Sequence, residues 1–226
     1  PRFGGEDTLP PKLIEAIRAF ILACAARRAR GQLNTHNSML IHVTRYTSVQ
    51  NSVRGQVEAV FGEIKRRIRY GTDEGDSEHA LLERLWKSDF EPNSRIVREL
   101  VPDREFSPVS WDLVRAELQD VVEAIKVKTI NGKAEDILDY DTHKSVGLNV
   151  IAVGGDKLAR GLTLEGLTVS YFLRSTKMYD TLMQMGRWFG YRPGYLDLCR
   201  LYMTSDLRDW FCHITEASEE LRREFD

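Results

Sequence analysis

The sequence predicts an α/β protein in which a parallel sheet is flanked by helices. Strand-like apolar runs alternate with helical patterns along the 226 residues, and this alternation is typical of parallel sheets joined by right-handed crossovers. Residues 148–153 and 167–173 are continuously apolar, as expected for strands covered on both faces. The hydrophobic share of 42% is ordinary for a protein that buries a core.

The first element is predicted to be an amphipathic helix over residues 11–30, because apolar residues recur there at helical spacing. Pro10 and Pro11 suit a helix start, where a missing N–H has no intrahelical partner to lose. Gly31 is suited to ending the helix in a left-handed conformation.

The next two elements form the first βα unit. Residues 39–44 are apolar and rich in strand-forming side chains, so they predict a central strand. Thr47 and Gln50 form a capping-box pattern, which predicts the start of a second helix that continues beyond residue 60.

The middle of the chain is predicted to be a mostly helical insertion over about residues 66–122. Helical patterns cover residues 80–87 and 111–125, prolines separate them, and no convincing strand occurs between them. The same stretch could instead be the long second half of a βα crossover.

The last elements follow from shorter patterns. In residues 125–129, Ile125, Val127 and Thr129 alternate with two lysines, and this two-residue period is typical of a half-buried strand. We expect a further strand over residues 196–202 and a final helix over residues 205–225.

Composition limits the classes of function. The formal net charge of −2 provides no global attraction for nucleic acid, so any such contact must be a local patch. No apolar run reaches the length of about 18 residues that a membrane span needs, and no signal peptide is visible, so we expect a cytoplasmic protein. The three cysteines lack metal-ligand spacing and are interpreted as reduced thiols. Because the chain begins with Pro1, we expect it to be a fragment of a longer polypeptide.

Two loops and a helix carry the residues with chemical interest. Gly154, Gly155 and Asp156 follow a predicted strand, and glycines at the carboxyl end of a parallel strand let the backbone approach a ligand closely. Residues 159–163, Ala-Arg-Gly-Leu-Thr, resemble the "ARGxD" loop of the second lobe of superfamily 2 helicases. Thr163 stands where many members of that class carry Asp, so it offers a hydroxyl in place of a carboxylate.

The helix predicted from about residue 179 carries Gln184, Arg187 and Arg192, and it resembles the "QxxGRxxR" arginine-finger helix of the same lobe. In that class of ATPase a guanidinium stabilises the charge that develops on the γ-phosphate. The family spacing between the two arginines is three residues, whereas it is five here, so Arg187, Arg192 or both are candidate fingers.

The phosphate-binding half of an ATPase is missing from the sequence. No Gly-x-x-x-x-Gly-Lys-[Ser/Thr] phosphate loop occurs, and no Asp-Glu pair ends an apolar strand to hold Mg²⁺. The chain alone is therefore expected not to turn over ATP.

The combination of these motifs resembles the Z-one (Z1) domain. The quoted residues are YDTLMQMGRWFGYR and the following PGYLDLCRLYMT, and the resemblance covers most of residues 35–215 and is strongest over residues 150–203. It implies a RecA-like second lobe that follows a DEAD-type ATPase lobe in restriction-modification and defence proteins. The implied function is an ATP-driven, helicase-like DNA motor that works with a separate nuclease.

The resemblance also implies roles for individual residues. The residues implied to contact the DNA backbone are Arg45, Tyr46, Gly155 and Asp156. The residues implied to face the nucleotide are Gly161, Thr163 and Gln184, with the finger arginines Arg187 and Arg192. The implied cofactors are ATP and Mg²⁺, held mainly by the upstream lobe.

Two other readings stay open. A metal-dependent endonuclease needs carboxylates and a lysine at strand ends. The best match, Glu63 and Lys65, lies in a helical pattern, and the loop cluster of Asp139, Asp141 and Lys144 has the wrong spacing. The second reading is a catalytically silent docking module that uses a RecA-like lobe only as a scaffold.

Overall fold

The computed structural model describes residues 8–44, 46–71, 77–101, 107–130, 140, 142–155, 164–172 and 194–225. Five strands of the described chain form one sheet in the order β2-β3-β1-β4-β5, and every neighbouring pair is parallel. The strands are β1 Asn37–His42, β2 Ile125–Ile130, β3 Asn149–Gly154, β4 Leu167–Phe172 and β5 Arg200–Tyr202. The predicted α/β fold with a parallel sheet is confirmed, and it is consistent with a RecA-like arrangement.

The helices flank this sheet. They are α1 Pro11–Ala29, α2 Thr47–Tyr70, α3 Glu78–Leu85, α4 Glu91–Leu100, α5 Trp111–Ala124 and α6 Ser205–Phe225. A π-helical turn, Trp86–Phe90, joins α3 to α4 without a break. The predicted helix over residues 80–87 is therefore part of a longer helical stretch, and Pro92 lies in the first turn of α4, just after the π-helical turn.

Side chains on the two faces of the sheet enter two separate apolar clusters. On one face, Met39 and Ile41 of β1 pack with α1, α2 and α5 in the larger cluster. On the other face, Leu40 packs with Tyr140, Leu164 and Leu207 of α6. This alternation along β1 follows from the two-residue period of a strand, and it explains why all six residues of β1 are buried.

Helix α1 is more deeply buried than an amphipathic helix. The eight residues from Ala19 to Ala26 are all 0% exposed, so the helix is enclosed all round in this part. The expectation of an amphipathic α1 is wrong, because α5, β4 and β5 cover its flanks. Its end is as predicted: Gly31 has φ +84°, its N–H donates to Arg28 O, and the N–H of Gln32 donates to Arg27 O, which is a Schellman motif.

Three predicted boundaries are corrected. Strand β1 begins and ends two residues before the predicted 39–44. Residues 196–202 are only partly a strand, because Leu196–Leu198 form a 3-10 turn and β5 has three residues. The capping box of Thr47 and Gln50 is absent, since Thr47 is already inside α2 and Tyr46 holds the N-cap position.

The helical stretch between β1 and β2 packs partly on the sheet, since α2 contacts β2 and β3, and α5 contacts α1 and α2. The assignment of about residues 66–122 as an insertion stays a prediction. In the described ranges no helix combines the length and the apolar character that crossing a membrane requires.

Candidate functional site

The candidate site is built at the edge of the sheet where the parallel strands end. β1 and β3 are neighbours in the middle of the sheet, and the N–H of Val43 donates to Gly154 O at 2.8 Å just beyond the end of β1. The loops that follow these two strands therefore start side by side. In open α/β sheets ligands bind at this edge.

Gly155 is the residue at which the two loops touch. A Cβ at position 155 would lie 2.5 Å from the carbonyl oxygen of Thr44 and 2.9 Å from Nε2 of Gln50. Contacts below 3.0 Å are essentially never made by a real Cβ, so only glycine fits without a shift. Glycine at this position is thus required by packing, independently of any ligand.

Gln50 connects the loop after β1 to helix α2. Its side chain is buried, and Nε2 donates to Thr44 O at 2.9 Å. Its Oε1 is also buried and accepts no hydrogen bond from the residues that the structure describes. The amide thus fixes the backbone of the β1–α2 loop beside Gly155.

The first turn of α2 has the properties of an anion-binding helix start. Tyr46 occupies the N-cap without a side-chain cap hydrogen bond, and no acidic residue lies in the first turn. The backbone N–H groups there carry about half a positive charge in total, which attracts anions. Tyr46 is 58% exposed, and its own N–H donates to Thr44 Oγ1 at 3.3 Å. This edge of the sheet therefore combines a helix start without a side-chain cap, an exposed tyrosine, and a glycine that has no room for a side chain.

Two of the residues implied by the resemblance are therefore brought together. Tyr46 follows β1 and Gly155 follows β3, and both lie at the same edge of the sheet on neighbouring strands. The other residues lie outside the described ranges: Arg45, Asp156, Gly161, Thr163, Gln184, Arg187 and Arg192. Their roles stay predictions.

The chain that follows the finger motif is anchored at the opposite edge. Gly194 O accepts hydrogen bonds from Arg30 Nη1 and Gln32 Nε2, each at 3.2 Å. The guanidinium of Arg27 lies 4.1 Å from the centre of the Tyr195 ring. Burial lowers the pKa of the Arg27 guanidinium, while Tyr195 opposes this effect. These contacts fix the described chain two residues after Arg192.

The strongest part of this anchor is a buried ion pair. Arg30 binds both carboxylate oxygens of Asp197, at 2.8 and 2.6 Å, and the two side chains are 2% and 0% exposed. Ser94 donates a third hydrogen bond to the same carboxylate at 2.6 Å. We call this set, Arg30, Asp197 and Ser94, the Arg30–Asp197 cluster.

Sequence reasoning missed Gln50 and the Arg30–Asp197 cluster. Gln50 was interpreted as a capping residue, although its spacing from Thr44 also allows a contact back to the loop. The only signal for the cluster was a lone acid, Asp197, in an otherwise apolar run. Its partner Arg30 is 167 positions away, so the pair was not visible in local patterns.

The described residues favour no metal-dependent nuclease site. Glu63 lies in α2 and binds Arg66 and Arg67 on its own helix. These hydrogen bonds lower the pKa of Glu63 to about 2. Lys65 pairs with Glu123 at 2.7 Å, so neither residue of the candidate pair faces a shared metal position. Across the described ranges, no group of three or more His, Cys, Asp or Glu could hold a metal ion.

The parallel sheet and its flanking helices define an α/β protein, and the arrangement is consistent with a RecA-like fold. The sequence model of the Z1 domain family matches residues 12–226, and the chain belongs to this family. Comparisons with curated proteins and with solved structures gave no match.

Proposed function

We propose that this chain is the second motor lobe of an ATP-dependent, helicase-like DNA translocase in a restriction or defence system. In this role it supplies arginine fingers and contacts to the DNA backbone. The observation that carries the proposal is the meeting of Tyr46, Gly155 and the uncapped start of α2 at the carboxyl edge of a parallel sheet.

The geometry of this edge fits a phosphate backbone. The first-turn N–H groups of α2 are donors with a partial positive charge, and the absence of an acid in that turn leaves their field uncancelled. Gly155 lets the main chain of the neighbouring loop come close without a side chain in the way. Such contacts read no base sequence, which suits a motor that moves along any DNA.

ATP and Mg²⁺ would be bound mainly by a DEAD-type lobe upstream in the same polypeptide, which would supply the phosphate loop and the metal carboxylates. From this chain Gly161, Thr163 and Gln184 would face the nucleotide. Arg187 and Arg192 would stabilise the charge on the transferred phosphoryl group, a contribution of about 10³–10⁵ in rate for an arginine finger.

The decisive experiment uses Arg187→Ala in a polypeptide that joins this chain to its ATPase lobe. We expect ATP turnover to fall about 10³-fold while nucleotide affinity stays largely unchanged, because the group acts on transition-state charge. Arg208→Ala is the matched control, since Arg208 is an exposed arginine paired with its neighbour Asp209. An equal loss of rate and affinity would indicate ground-state binding instead.

Two further results separate the proposal from its alternatives. The isolated 226-residue chain should show no ATPase activity with Mg²⁺ and DNA. ATP turnover by the pure chain would contradict the assignment of the phosphate loop and the metal carboxylates to the upstream lobe. Full ATPase activity in the double variant Arg187→Ala and Arg192→Ala would favour the silent docking module. Mg²⁺-dependent DNA cleavage by the chain alone would favour the nuclease.

A further inference from the structure

A second candidate site lies at the other edge of the molecule. A cavity of about 290 Å³ opens between the end of α1, helix α4 and the start of α5. Its walls are formed by Arg30, Trp86, Glu91, Ser94, Arg95, Arg98, Pro108, Val109 and Ser110. Arg30 and Ser94 belong to the Arg30–Asp197 cluster, which lies near the amino-terminal ends of β1 and β5.

The charges on the cavity walls are mostly positive. Arg30 is already bound to Asp197. Arg95 and Arg98 are exposed, and neither forms an ion pair within the described part of the chain. They are three positions apart on α4, which places them on neighbouring positions of one helix face. Within the described residues, two guanidinium groups are thus available to a ligand in the cavity.

The acid in the wall, Glu91, is engaged with a neighbour. Its Oε1 accepts a hydrogen bond from Trp86 Nε1 at 3.0 Å. Trp86 is only 2% exposed and stacks on Phe90, with ring centres 5.4 Å apart. Together with Pro108 and Val109, the indole gives the cavity an apolar part of its wall.

The start of α5 adds backbone N–H donors to the cavity wall, and Asp112 in its first turn offsets part of the positive charge of the helix dipole. Ser110 is the N-cap of this 14-residue helix, with φ −75° and ψ 158°, yet its side chain makes no cap hydrogen bond. Ser110 and the two residues before it line the cavity. The first backbone N–H groups of α5 therefore lie at the cavity wall, and the two arginines of α4 supply its positive charge.

We propose that this cavity binds a small molecule that carries a phosphate group next to an apolar or aromatic part. A tetrahedral dianion with three terminal oxygens matches two arginine forks and backbone N–H donors better than a single carboxylate does. The volume is near the lower end of small-molecule sites, and the apolar wall offers a surface for a ring or short chain. The site lies away from the strand ends that would face DNA, so it does not depend on the proposed motor function.

The test is isothermal titration calorimetry on the 226-residue chain, with inorganic phosphate, AMP and malonate as probes. We expect saturable binding of phosphate and tighter binding of AMP, because AMP adds a ring for the apolar wall. The variant Arg95→Gln with Arg98→Gln should weaken both at least about tenfold, since each charge-assisted contact is among the stronger hydrogen bonds.

Two more variants separate binding from folding. Ser110→Asp keeps a favourable N-cap residue, so the melting temperature should not fall, yet its carboxylate should repel the phosphate and abolish binding. Lys126→Gln with Lys128→Gln removes two positive charges from the distant edge strand β2 and should leave binding unchanged.

The remaining outcomes would overturn the proposal. The first is the absence of saturable binding of phosphate or AMP. The second is tighter binding of malonate than of either probe, and the third is unchanged binding in the variant Arg95→Gln with Arg98→Gln. Binding of phosphate with no binding of AMP would contradict the proposal that the ligand has an apolar or aromatic part. None of these results bears on the ATPase experiment with Arg187→Ala, so the two proposals fail separately.

Discussion

Gly155 lies against the carbonyl oxygen of Thr44, and a Cβ at Gly155 would approach that oxygen to 2.5 Å. The contact joins the loop after β3 to the loop after β1, and Gln50 Nε2 donates a hydrogen bond to the same carbonyl at 2.9 Å. The relative position of the two loops at the candidate site is therefore set by backbone packing around one glycine.

The first prediction concerns this contact. Gly155→Ala should lower the free energy of unfolding by about 1–3 kcal/mol, the usual cost of forcing an extra methyl group into a packed site. The neighbour is a backbone oxygen, which cannot rotate away as a flexible side chain would. Urea denaturation followed by circular dichroism measures the change.

Gly62→Ala is the matched control for this substitution. Gly62 lies inside α2, and a Cβ there would meet nothing within 4 Å. Alanine should therefore raise the stability by up to about 1 kcal/mol, because it favours the helix over the unfolded chain. If both alanine variants change stability in the same direction, the tight contact at Gly155 is not what limits this position.

The second prediction concerns the buried ion pair. Asp197→Asn should destabilise the chain by about 3–5 kcal/mol, because it leaves the buried charge of Arg30 without its partner. Glu63→Gln on the surface of α2 should change the stability far less, because solvent screens the ion pairs of Glu63 with its two arginines. Equal losses in the two variants would show that burial does not set the strength of the Arg30–Asp197 pair.

The third prediction concerns the thiols. Cys24 is fully buried in α1, and burial raises the pKa of its thiol far above the usual range, so almost no thiolate is present. Cys212 is exposed on α6. A thiol reagent at pH 8 should label Cys212 at once and Cys24 only as fast as the protein unfolds, as mass spectrometry of the peptides would show. Rapid labelling of Cys24 in the native chain would contradict the burial of α1.

The sheet was predictable because its signals are local. The apolar runs of β3 and β4 are continuous, and a strand covered on both faces requires only that neighbouring residues be apolar. The errors arose where distant residues decide the structure. The predicted strand begins instead with a 3-10 turn, in which Asp197 binds Arg30, a partner that is remote in sequence.

The candidate site was predictable only in part. Gly155 and Tyr46 were found from their places after strands, and the parallel sheet brings their loops together. Gln50 was given the wrong role, because its sequence spacing fits a capping box as well as a hydrogen bond to Thr44. The cavity beside Arg95 and Arg98 was missed, since it forms only when α1, α4 and α5 pack against one another.

The last prediction concerns DNA. Arg45 stands between Thr44 and Tyr46, next to the start of α2, and the proposed function gives it a phosphate contact. In the polypeptide that joins this chain to its ATPase lobe, Arg45→Ala should weaken DNA binding evenly across sequences. The slope of log K against log salt should become less steep by about 0.9, the value for one neutralised phosphate on duplex DNA.

The enzymatic consequences of Arg45→Ala follow from its separation from the finger motif. DNA-stimulated ATPase should fall, because less DNA is bound, while basal ATPase should stay unchanged, because Arg187 and Arg192 belong to a different segment. Arg66→Ala is the matched control, since it removes an exposed arginine near the other end of α2 that is already paired with Glu63. Fluorescence anisotropy with several duplex sequences measures binding. A change in which sequence is preferred would mean that this loop reads bases, and that the phosphate contact assigned to Arg45 is wrong.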